Sequence, residues 1–391
     1  MQITNNIRSN NTPYSVYIHW PFCHKKCHYC DFMALEQHGE FQTRYHEALL
    51  DEIEHWAQEQ QKAGIAHAPS TIYIGGGTPS LYPLPIIKEL FKTLQSYFKL
   101  ENTHEITIEA NPADITEEKL ATWRELGINR LSMGVQILDD NILANLNRFQ
   151  LTQNVYNAFK LIPKYFKNIS IDLILGLPGT TDQIWDYTIK QALNWPITHI
   201  SLYLLTIHEQ TPLYFDIQQK KVVLPDEDKI IDTLEQTHEI LENHGLKQYE
   251  ISNYARPGYE SVHNQGYWNR QAYKGFGLGA SSFRGNTRTI NEKNLDKYIK
   301  TIENNLFDLF SYTENLTQEQ EKIEIIMLGL RRTSGIGLHD VVYLLNESEK
   351  KRFFENIEIL KSQAHIKESN GRISLTPKGM LLENEVLARL I

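Results

Sequence analysis

From Tyr14 to about Leu205 the sequence alternates short β-branched runs with longer stretches whose apolar residues recur every three or four positions. The runs at 14–19, 71–75, 104–109, 129–134, 168–175 and 197–204 read as strands. Between the first two, Phe41, Tyr45, Leu49, Ile53 and Trp56 share one face of a helix that Gly64 stops. Six strand–helix repeats with near-continuous apolar strands predict an α/β fold, a parallel sheet with helices outside, curved into a partial (β/α)6 barrel. The polar residues singled out below fall in or near strand C-terminal ends, where barrels build their active sites.

The chain has 391 residues, enough for two or three units around at least one sizeable core. Hydrophobic residues make up 41%, and 20 Tyr, 15 Phe and 6 Trp exclude a disordered chain. With 39 basic and 48 acidic residues the net charge is −9, so no global positive field attracts nucleic acid or anionic lipid. No apolar run reaches 18 residues, and MQITNNIRSNNTP lacks the apolar stretch of a signal peptide, which makes the cytoplasm the expected compartment.

The expected divisions are a disordered tail at 1–13, the barrel at 14–205, an α/β extension at 206–312 and a winged-helix-like domain at 313–391. The extension contains a strand KQYEIS (247–252) and the segment HNQGYW (263–268). In the last unit Thr317 and Gln320 form a capping-box pattern before a helix running through Met327, a second helix is expected around 349–363, and a hairpin turns at Asn370-Gly371. Because EKKRFFENIEILK mixes four basic with three acidic side chains, that unit is expected to serve packing or a partner rather than nucleic acid.

All three cysteines of the chain lie in HWPFCHKKCHYCDF, as Cys23, Cys27 and Cys30. In a chain expected in the cytoplasm, C-x3-C-x2-C points to metal or redox chemistry rather than a disulfide framework. A structural zinc site needs a fourth ligand, for which His19, His24 and His28 are the local candidates. A cubane cluster on three thiolates instead leaves one iron open to a small molecule. Downstream, Gly75, Gly76 and Gly77 follow a buried strand and permit close backbone approach to a zwitterionic ligand. Glu109 and Gln136 close two further strands, Arg148 follows on the next helix, and Asp172 sits inside ISIDLILGL, where an unpaired carboxylate is costly to bury.

The wording YIHWPFCHKKCHYCDF, IGGGTPS, TIEANP, INRLSMGVQ, IDLILGLPGTT, YEISNYA and HNQGYW, in this order, resembles the oxygen-independent coproporphyrinogen oxidase family of the radical S-adenosylmethionine (SAM) superfamily. Within it the chain is most similar to the HemW-type haem chaperones. The resemblance implies a [4Fe-4S] cluster on Cys23, Cys27 and Cys30, SAM chelating the open iron, and one-electron cleavage of its sulfonium to a 5′-deoxyadenosyl radical. It places Gly76, Gly77 and Thr78 against the methionine moiety, makes Glu109, Gln136, Arg148 and Asp172 SAM contacts, and sets Tyr17 and Tyr29 near the cluster and the adenosyl group. His263 becomes a ligand for non-covalently held haem, with Tyr267 and Trp268 as aromatic faces; from residue chemistry alone it reads equally as a histidine hydrogen-bonded in the core beside two packed aromatics.

Two activities fit the resemblance: a chaperone delivering haem to acceptor proteins, respiratory ones, and a coproporphyrinogen III dehydrogenase. Dehydrogenase-type relatives carry a further cysteine two residues after the third, where this chain has Phe32, and only 22 residues precede Cys23. Dehydrogenase activity is therefore not expected, whereas SAM cleavage stays open. Membrane contact is expected only peripherally, through partners, and the chain is expected as a monomer or homodimer. The sequence departs from the family's usual wording at Trp20, Asn147, Gln150 and Ser281.

Overall fold

The six strands stand where the alternation places them: β1 (Tyr14–Trp20), β2 (Thr71–Gly76), β3 (Glu105–Ala110), β4 (Arg130–Gln136), β5 (Asn168–Leu175) and β6 (His199–Leu204). The computed structural model describes residues 14–36, 38–64, 68–307, 309 and 311–391; the tail expected at 1–13 lies outside the described residues. β1 to β6 pair in chain order, all parallel, with helices such as Gln42–Lys62, Leu84–Tyr97 and Asp182–Asn194 in the connections. Tyr45, Leu49 and Ile53 are buried as their spacing predicts.

The strands are not uniformly apolar. Ile72 and Ile74, Ile106 and Ile108, Leu131 and Met133, Ile169 and Ile171, and Ile200 and Leu202 enter one apolar core. The opposite parity carries Thr71 and Tyr73, Glu105, Thr107 and Glu109, Arg130 and Ser132, Ser170 and Asp172, and His199 and Ser201. Successive side chains point to opposite faces, so one face packs under the helices and the other is polar and buried. The near-continuous apolar pattern therefore gives way to alternation, because one face of this sheet lines a polar cavity.

Beyond β1 the sheet continues through Ala272–Phe276, parallel to it with Tyr14 opposite Ala272, and then antiparallel through Ser281–Arg284, Thr287–Asn291 and Ser311–Asn315. On the other side, Asn253–Ala255 and Lys247–Gln248 add antiparallel to β6. KQYEIS is thus corrected from one strand to a hairpin: pairing of Tyr254 with Gln248 forces the chain to reverse between them, and only Lys247–Gln248 stays extended.

The C-terminal region has its own apolar cluster, including Ile326, Leu330, Phe353, Ile357, Ile373 and Val386. Helix Gln318–Leu330 opens with the expected capping box, Gln320 N–H donating to Thr317 Oγ1 at 3.2 Å and Thr317 N–H to Gln320 Oε1 at 2.8 Å. Helix Glu347–Ser362 follows, and the strands Ile366–Ser369 and Arg372–Leu375 turn through Asn370 and Gly371, both at positive φ, as a type I′ hairpin requires. Among the described residues no helix is long and apolar enough to cross a membrane.

Candidate functional site

The cysteine loop leaves β1 and is tied down at both ends. Leu35 N–H donates to Pro21 O at 2.7 Å and Thr78 N–H to Phe22 O at 3.0 Å. Further along, His28 N–H donates to Leu146 O at 2.9 Å, and Asn147 Nδ2 donates to Lys26 O at 3.0 Å. Asn147 adopts φ 55°, a left-handed conformation that Asn tolerates better than most residues. Its departure from the family's wording therefore braces the loop. Gln150, fully buried, donates to Val135 O at 2.8 Å, and Trp20 stacks on Tyr82 with ring centroids 3.8 Å apart.

This loop forms one wall of a cavity of about 340 Å³ whose lining includes Cys23, Cys27, Cys30, Tyr29, Gly76, Gly77, Thr78, Glu109, Gln136, Arg148 and Asp172. Every candidate site residue except Tyr17 and His263 is thus in one place. Gly76 has φ +121°, and a Cβ on Gly77 would come within 2.4 Å of Pro21 O, so the turn after β2 fits under the cysteine loop only as glycine. β4 is bulged between Gly134 and Gln136, and Gln136 takes φ 67°, which re-aims its side chain at the strand end.

Arg148 links the cysteines to β4. Its Nη2 donates to Gly134 O at 2.7 Å, and Nη1 donates to Tyr29 Oη at 3.1 Å and approaches Cys27 Sγ at 3.7 Å. Burial pushes the Cys23 thiol up to about 12 and raises Cys30 as well. Thiols held this way keep their protons unless metal takes them as thiolates. Among the described residues no three His, Cys, Asp or Glu side chains are set to hold a single metal ion. Of the histidines considered for zinc, His19 is occupied at both nitrogens, by the Tyr17 hydroxyl at 3.0 Å and Met33 O at 2.7 Å, and His24 faces Asp114 at 3.1 Å. Three sulfurs around one cavity, with a guanidinium on one of them, fit a cluster in which each thiolate binds a separate iron.

Opposite the cysteines, Glu109 accepts from Tyr73 Oη at 2.7 Å and from Gly76 N–H at 3.1 Å. Burial, reinforced by the nearby Asp172 charge, pushes its carboxyl up to about 7 against those two bonds and Arg130. Asp172 is also raised by burial, while Ser201, Arg130 and Ser132 oppose the rise. Two carboxylates at one buried wall suit a cationic ligand. A raised acid favours the folded state most below its unfolded value, near 4.5, and that contribution is lost as pH rises through 7. Ligand-free Glu109→Gln is therefore expected to lose less stability than the native chain between pH 4.5 and 8, by about 3 kcal/mol. Parallel denaturation curves across that range measure it; identical pH slopes would refute it.

The alternation also delivers residues absent from the sequence reading: Tyr73, Arg130, Ser132, Ser201 and Tyr203 line the same cavity. Arg130 is 2% exposed and acts on both carboxylates. The period-2 pattern Arg130, Ser132, Gly134, Gln136 was the signal that could have revealed it.

HNQGYW forms the helix Val262–Trp268. Glu105, at the start of β3, accepts from Ser261 Oγ and from the N–H groups of Val262 and His263 at 3.0–3.3 Å, fixing this helix against the sheet. His263 is 1% exposed; its Nδ1 lies 2.7 Å from Thr71 Oγ1 and its Nε2 2.8 Å from Tyr267 Oη. Neither nitrogen is open to iron in this arrangement. Tyr17 stacks on Tyr73 and lines a second cavity, which shares Gly76 and Glu109 with the first and also includes Ser281.

Residues 17–192 match the family model of the radical SAM superfamily, and residues 316–382 match that of the HemN C-terminal domain. The chain is 34% identical to the heme chaperone HemW of Bacillus subtilis (strain 168) over 379 residues, covering 96% of this chain and 99% of that one. Its identity to the heme chaperone HemW of Lactococcus lactis is 32%, covering 97% of each. Among solved structures, coproporphyrinogen III oxidase (HemN) from Escherichia coli, described as a radical SAM enzyme, superposes with a TM-score of 0.82 at 25% identity, covering 98% of this chain and 91% of that one.

Proposed function

This chain belongs to the HemW haem-chaperone family of the radical SAM superfamily, and from that premise we propose that it holds a [4Fe-4S] cluster and SAM and carries haem non-covalently to acceptor proteins. Cys23, Cys27 and Cys30 hold the cluster. Gly76, Gly77 and Thr78 take the methionine end of SAM, Glu109 and Asp172 balance its sulfonium and ammonium charges, and Gln136 and Arg148 complete the wall. The cluster supplies one-electron cleavage of the sulfonium when SAM is bound. Tyr29 and Arg148 shield and orient the thiolate side, and the Tyr73–Glu109–Gly76 bonds hold the acidic side in register. The described helices and hairpin of residues 313–391 support a winged-helix-like unit beside a partial barrel.

The observation that carries the reading is the loop itself: full-length kinship to haem chaperones together with Cys30-Asp31-Phe32, in which Phe32 is 67% exposed and the chain has no fourth cysteine. The superposition on coproporphyrinogen III oxidase favours a second reading, oxidative decarboxylation of two propionates. Cluster-loaded protein incubated anaerobically with reductant, SAM and coproporphyrinogen III should give no carboxylate loss by mass spectrometry. A parallel sample should take up haem and pass it to an apo-haemoprotein. Decarboxylated product would replace the chaperone reading with the second.

A further inference from the structure

Helix Val262–Trp268 stands where three cavities meet. Asn264 lines the cluster cavity, and Tyr267 lines the second, of about 510 Å³. Trp268 lines a third, of about 900 Å³, which shares Arg270, Tyr273 and Phe283 with the second. His263 lines none of them. The hydrogen bonds around it fix its tautomer: Thr71 Oγ1 donates to Ser15 Oγ at 2.9 Å, so it receives the His263 Nδ1 proton, and Nε2 accepts from the Tyr267 hydroxyl. Tyr267 Oη thus spends its proton on His263 and, among the described residues, accepts no hydrogen bond, so its lone pairs stay unused on a side chain that lines the second cavity.

We infer that Tyr267, rather than His263, is the iron ligand of the haem cargo, an assignment that rests on the haem-chaperone reading. Phenolate is an established ligand for haem iron. The second cavity lies in the size range that takes a ligand of several rings and shares a wall with the larger cleft. Arg270 and Arg288 stand over the Phe283 ring at 5.0 and 5.9 Å and line the second cavity, both paired with Glu324 there and Arg270 also with Glu321, so a planar ligand meets an aromatic face flanked by ion-paired guanidinium groups rather than free cations. Other donors at this wall are less suited. Both His19 nitrogens are occupied, Met33 offers a thioether that suits softer ferrous iron, and the Tyr273 hydroxyl is held by Arg288.

In the ligation step the Tyr267 O–H bond breaks as Oη bonds ferric iron, and the phenolic proton leaves to water. The imidazole moves to its other tautomer, so that Nε2–H donates to the coordinated oxygen, while the Thr71 hydroxyl proton turns from Ser15 Oγ to Nδ1 and the bond to Ser15 is given up. The iron stays ferric and no electron is transferred.

The test is resonance Raman spectroscopy of the cluster-loaded full chain with ferric haem, comparing native protein with Tyr267→Phe, Tyr273→Phe and His263→Gln. Native protein and Tyr273→Phe should show phenolate modes enhanced through the iron. Tyr267→Phe, which keeps the ring packed on His263 and Tyr273, should lack them and release haem about tenfold faster. His263→Gln should keep the modes at shifted frequency. Haem uptake with a spectrum unchanged in Tyr267→Phe, or loss of the modes in Tyr273→Phe, overturns the assignment while leaving the chaperone reading intact. A native chain that takes up no haem overturns both.

Discussion

Serine in place of Cys27 is expected to leave anaerobically reconstituted protein without its cluster, with iron and sulfide falling from about four of each per chain to less than one. The loop supplies three thiolates and the chain contains no other cysteine, so a lost thiolate has no replacement. The hydroxyl of serine holds its proton far more tightly than a thiol and is a harder donor, poorly matched to iron–sulfide chemistry. Cys27 is also the sulfur that Arg148 approaches, so its loss takes one contact from a buried guanidinium that keeps its bonds to Gly134 O and Tyr29 Oη. The same outcome is expected for Cys23 and Cys30. Colorimetric iron and sulfide counts on folded variant protein measure it, and retention of four irons would remove the cluster assignment.

Arg148→Ala is expected to act in two ways. Removing the guanidinium deprives Gly134 O and the Tyr29 hydroxyl of their donor, which costs about 2 kcal/mol and lowers the Tm by roughly 2–3 °C. It also removes a positive charge beside Cys27, and an anionic cluster gaining an electron is stabilised by such a charge, so the reduction potential should become more negative. Arg148→Lys should recover part of the potential without restoring the bond to Tyr29, because an ammonium cannot serve three acceptors in a planar fork. Anaerobic redox titration separates the two effects. A potential that is unchanged in Arg148→Ala would mean that the guanidinium only packs.

Local pattern carried far in this chain. The six parallel strands follow from the alternation of periods, and the residues singled out with the cysteine spacing and the glycine turn mostly line one cavity. What escaped was whatever depends on how a sheet is bent and plugged. Reading 168–175 as an apolar run hid the fact that Ser170 and Asp172 share a parity with Arg130 and Ser132 across the pairing of β4 and β5. KQYEIS looked like a single strand because its β-propensity does not encode the reversal that pairing with β6 imposes. His263 carries the chemistry of a ligand in isolation, yet its position is set by Glu105, 158 residues away, and by Thr71, 192 residues away. Contacts of that separation are decided by topology, which no local window contains.

The pairing of β1 with Ala272–Phe276 has a consequence for the order in which the molecule is made. At ordinary synthesis rates roughly 10 to 50 s pass between emergence of the first strand from the ribosome and emergence of its second neighbour. During that time one edge of β1 has no partner, and the cysteine segment that continues from it hangs on a half-built sheet. Nascent chains in this condition are exposed to edge-to-edge association. Asn264 of the cluster cavity also emerges late, so heterologous expression should gain more from slowed synthesis and a holdase chaperone than from an early supply of iron.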